Sequence, residues 1–145
     1  MACNPDKAFL AAILEGRAEP GPVTSCPAAR ALGAKLVALD PESGVLEMEF
    51  AAGVGHVNGA GVVLGGVIAA MLDLLAAFSV LAFTRAEFPG SIDLQVHFLR
   101  PARPGPLRGE AHLVQAGRRI AYTEAALRDV HDRKIARGRS ALALR

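Results

Sequence analysis

The stretch "VVLGGVIAAMLDLLAAFSV", residues 62–80, decides how this chain folds. It is apolar apart from Asp73, and the pattern predicts one long helix from about Gly65 to Phe83. On a helical wheel the large apolar side chains share one face and are expected to pack on a sheet: Leu64, Val67, Ile68, Met71, Leu75 and Phe78.

Asp73 lies on the opposite face of this helix, among small residues: Gly66, Ala69, Ala70, Ala76, Ala77 and Val80. An unpaired carboxylate is costly to bury, so Asp73 has either a structural or a functional reason to be there. The structural interpretation is a hydrogen bond to a neighbouring loop. The functional interpretation is a carboxylate facing a closely approaching helix, strand or substrate. At the predicted helix start, Gly65 and Gly66 would expose amide N–H groups that could hold a developing oxyanion.

Strand patterns flank the helix on both sides. Residues 1–20 predict an N-terminal helix and linker, while "AARALGAKLVALD" (28–40) and "GVLEMEF" (44–50) predict two strands. After Gly90 the apolar period changes to two, and three further strands are expected at about 106–116, 119–129 and 134–144. This order predicts one α+β domain over residues 1–145, an antiparallel sheet packed on one buried helix. Tyr122 and the six phenylalanines are expected in the core.

Composition narrows the class of protein. Cys3 and Cys26 form neither a disulfide framework nor a cluster with metal-ligand spacing, so we expect no metal and a reducing, cytoplasmic location. Asp73 would cost about 2.5–3.5 kcal/mol at a membrane centre, so no membrane association is expected. Residues 100–145 carry a charge of +7 against −5 for residues 1–99, which favours an anionic partner or reflects solvated strand faces. With 5% aromatic residues, nucleic-acid binding is disfavoured.

The segment "NGAGVVLGGVIAAMLD", residues 58–73, resembles the signature of the hotdog-fold acyl-CoA thioesterases of the phenylacetyl-CoA (PaaI-like) type. The resemblance continues through "GSIDLQVHFLRPARPG" (90–105), "VQAGRRIAYTEAAL" (114–127) and "IARGRSALAL" (135–144). It implies a sheet wrapped around one long central helix. It also implies an acyl-CoA substrate, no cofactor beyond the coenzyme A of that substrate, and a homodimer that can pair into a dimer of dimers.

The resemblance implies roles for particular residues. Asp73 aligns with the catalytic carboxylate, acting as a base on water or as a nucleophile, and Gly65 with the glycine whose N–H polarises the thioester carbonyl. Asn58 aligns with a positioning asparagine and Ser91 with a serine near the attacking water. The expected substrate-binding residues are Leu64, Gly66 and four arginines: Arg100, Arg103, Arg118 and Arg119. The arginines are expected to bind the CoA phosphates, and the alternative for each is a plain surface residue.

Leu64 departs from the family pattern, because it stands where the family has histidine. The rival hypothesis is therefore a non-catalytic acyl-CoA or acyl-carrier binding protein on the same fold. His56, eight residues upstream, is either a replacement for the missing imidazole or an ordinary loop histidine.

The spacing of Gly65 and Asp73 has a consequence for assembly. Their eight-residue separation corresponds to roughly 12 Å along a helix axis, too far for both to serve one carbonyl group. The sequence therefore predicts a homodimer in which Gly65 of one chain faces Asp73 of the other.

Overall fold

The computed structural model of the chain describes residues 4–145, so the first three residues of the predicted N-terminal segment, Cys3 included, lie outside it. The described residues form three helices, a short 3₁₀ turn (Val54–His56) and six strands. The helices are α1 (Pro5–Leu14), α2 (Pro27–Ala31) and α3 (Gly65–Phe83). The strands are β1 (Lys35–Asp40), β2 (Val45–Ala52), β3 (Gly90–Phe98), β4 (Gly105–Ala116), β5 (Ile120–Arg128) and β6 (Lys134–Ala143).

All strand pairs are antiparallel and form one sheet in the order β1-β2-β4-β5-β6-β3, with α3 packed across one face. This is the predicted α+β arrangement, a sheet wrapped around one long central helix as in the hotdog fold. β1 and β3 are its edges, so the backbone of β3 pairs with β6 on one side only. The position of β3 at an edge proves important for the site.

The predicted helix bounds of Gly65 and Phe83 are confirmed, and most of the large face of α3 is buried as expected, with Val67 half-buried. Gly109 of β4 allows the close contact, since a Cβ there would lie 2.6 Å from Cδ1 of Leu75. α3 is apolar and long enough to cross a membrane, with a mean hydropathy of 2.2. Its burial against the sheet accounts for that apolar character. Leu64 is an exception, because it is the N-cap residue and is 50% exposed instead of packed.

One predicted strand is wrong in its first part, because residues 27–31 form the short helix α2. Pro27 occupies the first helical position, where its fixed φ favours a helix start. The Sγ atom of Cys26 caps this helix by accepting a hydrogen bond from the N–H of Ala29 at 3.4 Å. Gly33, with a φ of +59°, then turns the chain into β1.

The prediction that all aromatic residues are in the core is also wrong. Phe50 and Phe78 are buried, but Phe88, Phe98 and Tyr122 are 43%, 57% and 51% exposed. Tyr122 lies on the sheet face away from α3, and the residues before and after it in β5 are buried on the opposite face. Phe98 is exposed because β3 has no further strand beside it.

Candidate active site

Asp73 and Ser91, which the sequence placed 18 residues apart, are in direct contact. Ser91 Oγ donates a hydrogen bond to Asp73 Oδ1 at 2.6 Å. Asp73 is half-buried in the middle of α3, and Ser91 is near the start of β3. Within residues 4–145 this is the one hydrogen bond to the Asp73 carboxylate, so Oδ2 has no donor there. The serine thus orients the carboxylate while half of its acceptor capacity stays open.

The small-residue face around Asp73 is open on one side of the carboxylate only. Toward the helix start, Gly66 and Ala70 are exposed and Ala69 is half-buried. Toward the helix end the face is closed, because Ala76 and Val80 are buried in a small cluster with residues of the loop after α3, of β5 and of β6: Ala86, Ala121 and Leu142. The accessible part of the face therefore runs between Gly66 and Asp73.

The start of α3 exposes two amide N–H groups. Gly65 is its first residue, and the apolar side chain of the N-cap residue Leu64 makes no capping hydrogen bond. Among residues 4–145 neither Gly65 nor Gly66 donates its N–H to a protein acceptor. These groups stand at the positive end of the helix dipole, an arrangement that suits an oxyanion.

The loop before α3 is held by Asn58 and His56. Asn58 Oδ1 accepts hydrogen bonds from the N–H of Ala60 at 2.9 Å and of Val62 at 3.4 Å, and so closes the turn. His56 Nδ1 accepts from the N–H of Gly53 at 3.1 Å, while its backbone oxygen accepts from the N–H of Leu64. Both residues shape the approach to the helix start. A direct role of either in the chemistry stays a prediction.

A cavity of about 300 Å³ lies beside Gly65. Phe98 forms one wall, and its ring is so close to the helix that a Cβ on Gly65 would lie 3.3 Å from Cζ. Arg100 is the one charged lining residue, and its Nη1 donates to the backbone oxygen of Lys134 at 2.9 Å. The other lining residues are apolar: Val63, Ile68, Leu99, Pro101, Ala102 and Ile135. Sequence reasoning missed Phe98, because alternation marks its face of β3 but not the edge position of that strand.

The four predicted arginines do not form one group within a chain. Arg100 and Arg103 lie in the connection from β3 to β4, at the Gly65 end of the sheet. Arg118 and Arg119 lie in the β4–β5 hairpin at the other end. That end also holds the start of β3, since Ile120 of β5 and Gly90 of β3 both pair with Ala143. A single chain therefore does not bring all four arginines together, and their binding of the CoA phosphates stays a prediction.

β3 connects the two halves of the candidate site and also separates them. Phe98 contacts Gly65 at one end of the strand, and Ser91 contacts Asp73 near the other. The two strand residues are seven positions apart, which corresponds to about 23 Å in extended chain. A single chain thus carries the amide donor and the carboxylate on one helix beside different parts of β3, roughly 12 Å apart along the helix axis. Within residues 4–145 no group of three or more His, Cys, Asp or Glu side chains could hold a metal ion.

Comparisons with known proteins identify the family and the fold. The family model described as the thioesterase superfamily matches residues 60–136. A phenylacetic acid degradation-related protein from Ralstonia eutropha JMP134 has a similar structure, with a TM-score of 0.81 and 31% identity over 94% of this chain and 99% of that one. A Streptococcus mutans protein solved with acetyl-CoA shares the fold, with a TM-score of 0.70 and 14% identity, over 76% of this chain and 86% of that one.

A Caenorhabditis elegans protein whose name proposes an esterase is 32% identical over 90 residues, 61% of this chain. The match takes in 53% of that protein, so the chain spans about half the length of this curated relative.

Proposed function

This chain belongs to the thioesterase superfamily, and from that premise we propose that it hydrolyses acyl-CoA thioesters to a free acid and CoA. The observation that carries the proposal is the hydrogen bond from Ser91 Oγ to Asp73 Oδ1. It fixes a carboxylate on an open, small-residue face and leaves Oδ2 available to accept a proton. A purely structural aspartate would have its acceptors satisfied by the loop it holds.

The chemistry assigns one proton acceptor and one oxyanion donor. Asp73 takes a proton from water as the water oxygen attacks the thioester carbonyl carbon. The carbonyl oxygen gains negative charge and accepts a hydrogen bond from the N–H of Gly65. When the tetrahedral intermediate collapses, the C–S bond breaks, and the CoA sulfur takes the proton held by Asp73. The products are the carboxylic acid and CoA, and no cofactor takes part.

The two groups come together when two chains pair through β3. Antiparallel pairing of this edge with its copy places the Phe98 end of one strand beside the Ser91 end of the other. Gly65 of one chain then faces Asp73 of its partner, and the dimer holds two such sites. Two observations support this pairing: the β3 backbone is unpaired on its outer side, and Ile92 and Phe98 are both 57% exposed on it.

The same pairing unites the arginines. Arg100 and Arg103 of one chain come to the end of the sheet where the partner carries its own Arg118 and Arg119. One planar guanidinium group can donate two parallel hydrogen bonds to the oxygens of one phosphate, so these arginines suit the phosphates of CoA. The acetyl-CoA complex of the S. mutans protein, which shares this fold, is consistent with such a ligand. We propose a cytoplasmic location, because two cysteines without a disulfide framework are typical of a reducing compartment.

A non-catalytic acyl-CoA or acyl-carrier binding protein is the second candidate, and Leu64 favours it. This leucine presents a half-exposed apolar side chain beside the oxyanion donor, where the family has histidine. The proposed reaction needs no imidazole there, because the donor is a backbone N–H and the base is Asp73.

Release of free CoA thiol from a panel of acyl-CoA thioesters separates the two candidates. We expect turnover by the wild type and a loss of 10²- to 10⁴-fold, roughly the usual range for a general base, in Asp73→Asn. Ser91→Ala should lose less, because it frees the carboxylate without removing it. Calorimetry should show that Asp73→Asn still binds acyl-CoA. Binding without thiol release by the wild type would support the binding protein and contradict the thioesterase.

A further inference from the structure

The cavity has two kinds of wall, buried core residues on one side and exposed residues at the end of β3 on the other. Val63, Ile68 and Ile135 are 5%, 2% and 2% exposed and belong to the main core cluster. Their positions are fixed by close packing within the core, so they cannot retreat from a ligand. Phe98 and Leu99 are 57% and 46% exposed at the end of the edge strand, where the proposed dimer brings the partner's β3. Of these two, Phe98 is the residue whose ring lies against Gly65, and a substitution could remove that ring without emptying the core.

The ring also closes the space next to the oxyanion donor. Its Cζ and Cε1 atoms lie 3.3 and 3.4 Å from the point where a Cβ on Gly65 would be. A methylene group at that point would be in tight contact with the ring. An acyl chain whose carbonyl lies at the Gly65 N–H therefore passes the ring as it enters the cavity.

We propose that Phe98 is a specificity-determining residue that limits the length of the acyl group, an inference that rests on the proposed acyl-CoA function of this site. A dry apolar cavity of about 150 Å³ holds a benzene-sized ligand. The cavity here, at about 300 Å³, accommodates a compact apolar acyl group and stops a longer one at the ring. Phe98→Ala enlarges the cavity beside Gly65 and removes this limit.

The test compares kcat/KM over a series of linear acyl-CoA thioesters for the wild type, Phe98→Ala and Phe98→Leu. Beyond the wild-type optimum, Phe98→Ala should gain about fourfold for each added methylene it newly buries, with no gain for the shortest chains. Phe98→Leu should lie between the two. Phe88→Ala is the matched control, because Phe88 is a similarly exposed phenylalanine that does not line the cavity. Its chain-length profile should equal that of the wild type.

A uniform change of kcat/KM at every chain length in Phe98→Ala would overturn the proposal, as would the same shift in Phe88→Ala. Dissociation constants for the same series, measured by calorimetry in Asp73→Asn and in Asp73→Asn combined with Phe98→Ala, give a readout that needs no turnover. A longer preferred chain in the double variant supports the role of Phe98 even if the wild type releases no thiol. Absence of thiol release would then count against the thioesterase alone, and an unchanged binding profile would count against Phe98.

Discussion

Mixing two inactive variants tests whether one site takes its parts from two chains. Gly65→Pro removes the donor N–H, and the structure favours this substitution because Gly65 is the first helical residue and Leu64 before it is extended, with a ψ of 137°. Asp73→Ala removes the base. Gly65→Ala is the steric control, since it adds a Cβ against Phe98 but keeps the N–H.

The expected activity follows from counting sites. Random exchange of equal amounts makes half of the dimers mixed, and each mixed dimer has one intact site, with Gly65 from one chain and Asp73 from the other. The mixture should therefore recover about a quarter of wild-type activity per chain, from two preparations that are each nearly inactive.

A second mixture makes the test two-sided. Wild type combined with the double variant, Gly65→Pro with Asp73→Ala on one chain, gives mixed dimers in which both shared sites are broken. Activity should fall during exchange from about a half to about a quarter of the wild-type value per chain. Thiol release is followed over time, and native mass spectrometry confirms the mixed dimers. The β3-paired dimer is refuted if exchange is complete while the first mixture stays inactive and the second stays at about a half of the wild-type activity. In that case each chain holds its own site.

Two further predictions concern substrate binding and stability. Arg118→Ala should raise KM for acyl-CoA several-fold and weaken its salt dependence while kcat is kept, whereas Arg17→Ala, a surface arginine paired with Glu15, should change neither in the same steady-state assay. Lys7→Met should lower the free energy of unfolding, measured by urea denaturation, by about 1–2 kcal/mol. The reason is that Lys7 Nζ donates hydrogen bonds to the backbone oxygens of Leu81 at 2.6 Å and Thr84 at 2.5 Å near the end of α3. Lys35→Met, at an exposed lysine, should cause no loss. Burial lowers the pKa of Lys7 below 10.5, with the Glu87 charge opposing, so the unfolded chain binds its proton more tightly and wild-type stability should rise relative to Lys7→Met as pH increases toward 10.5.

Local pattern determined most of the fold. The apolar run from Gly65 to Phe83 and the period-two segments after Gly90 predicted the central helix and the last four strands within a few residues of their ends. They did so because the period of burial is a property of each element alone. The same reasoning failed at residues 28–31, where Pro27 and the Cys26 cap make a helix from a segment too short to show a period.

Long-range packing decided how the candidate site is arranged. The resemblance selected Asp73 and Ser91 separately, and only the crossing of β3 over α3 shows them sharing a hydrogen bond. Strand order set the rest: it placed β3 at an edge, exposed Phe98 beside Gly65, and sent Arg118 to the opposite end of the sheet from Arg100. Alternation along a strand records which side chains face the helix, but the neighbour of that strand depends on contacts between residues far apart in sequence. The edge position of β3, on which the shared site depends, is for that reason a property of the tertiary structure.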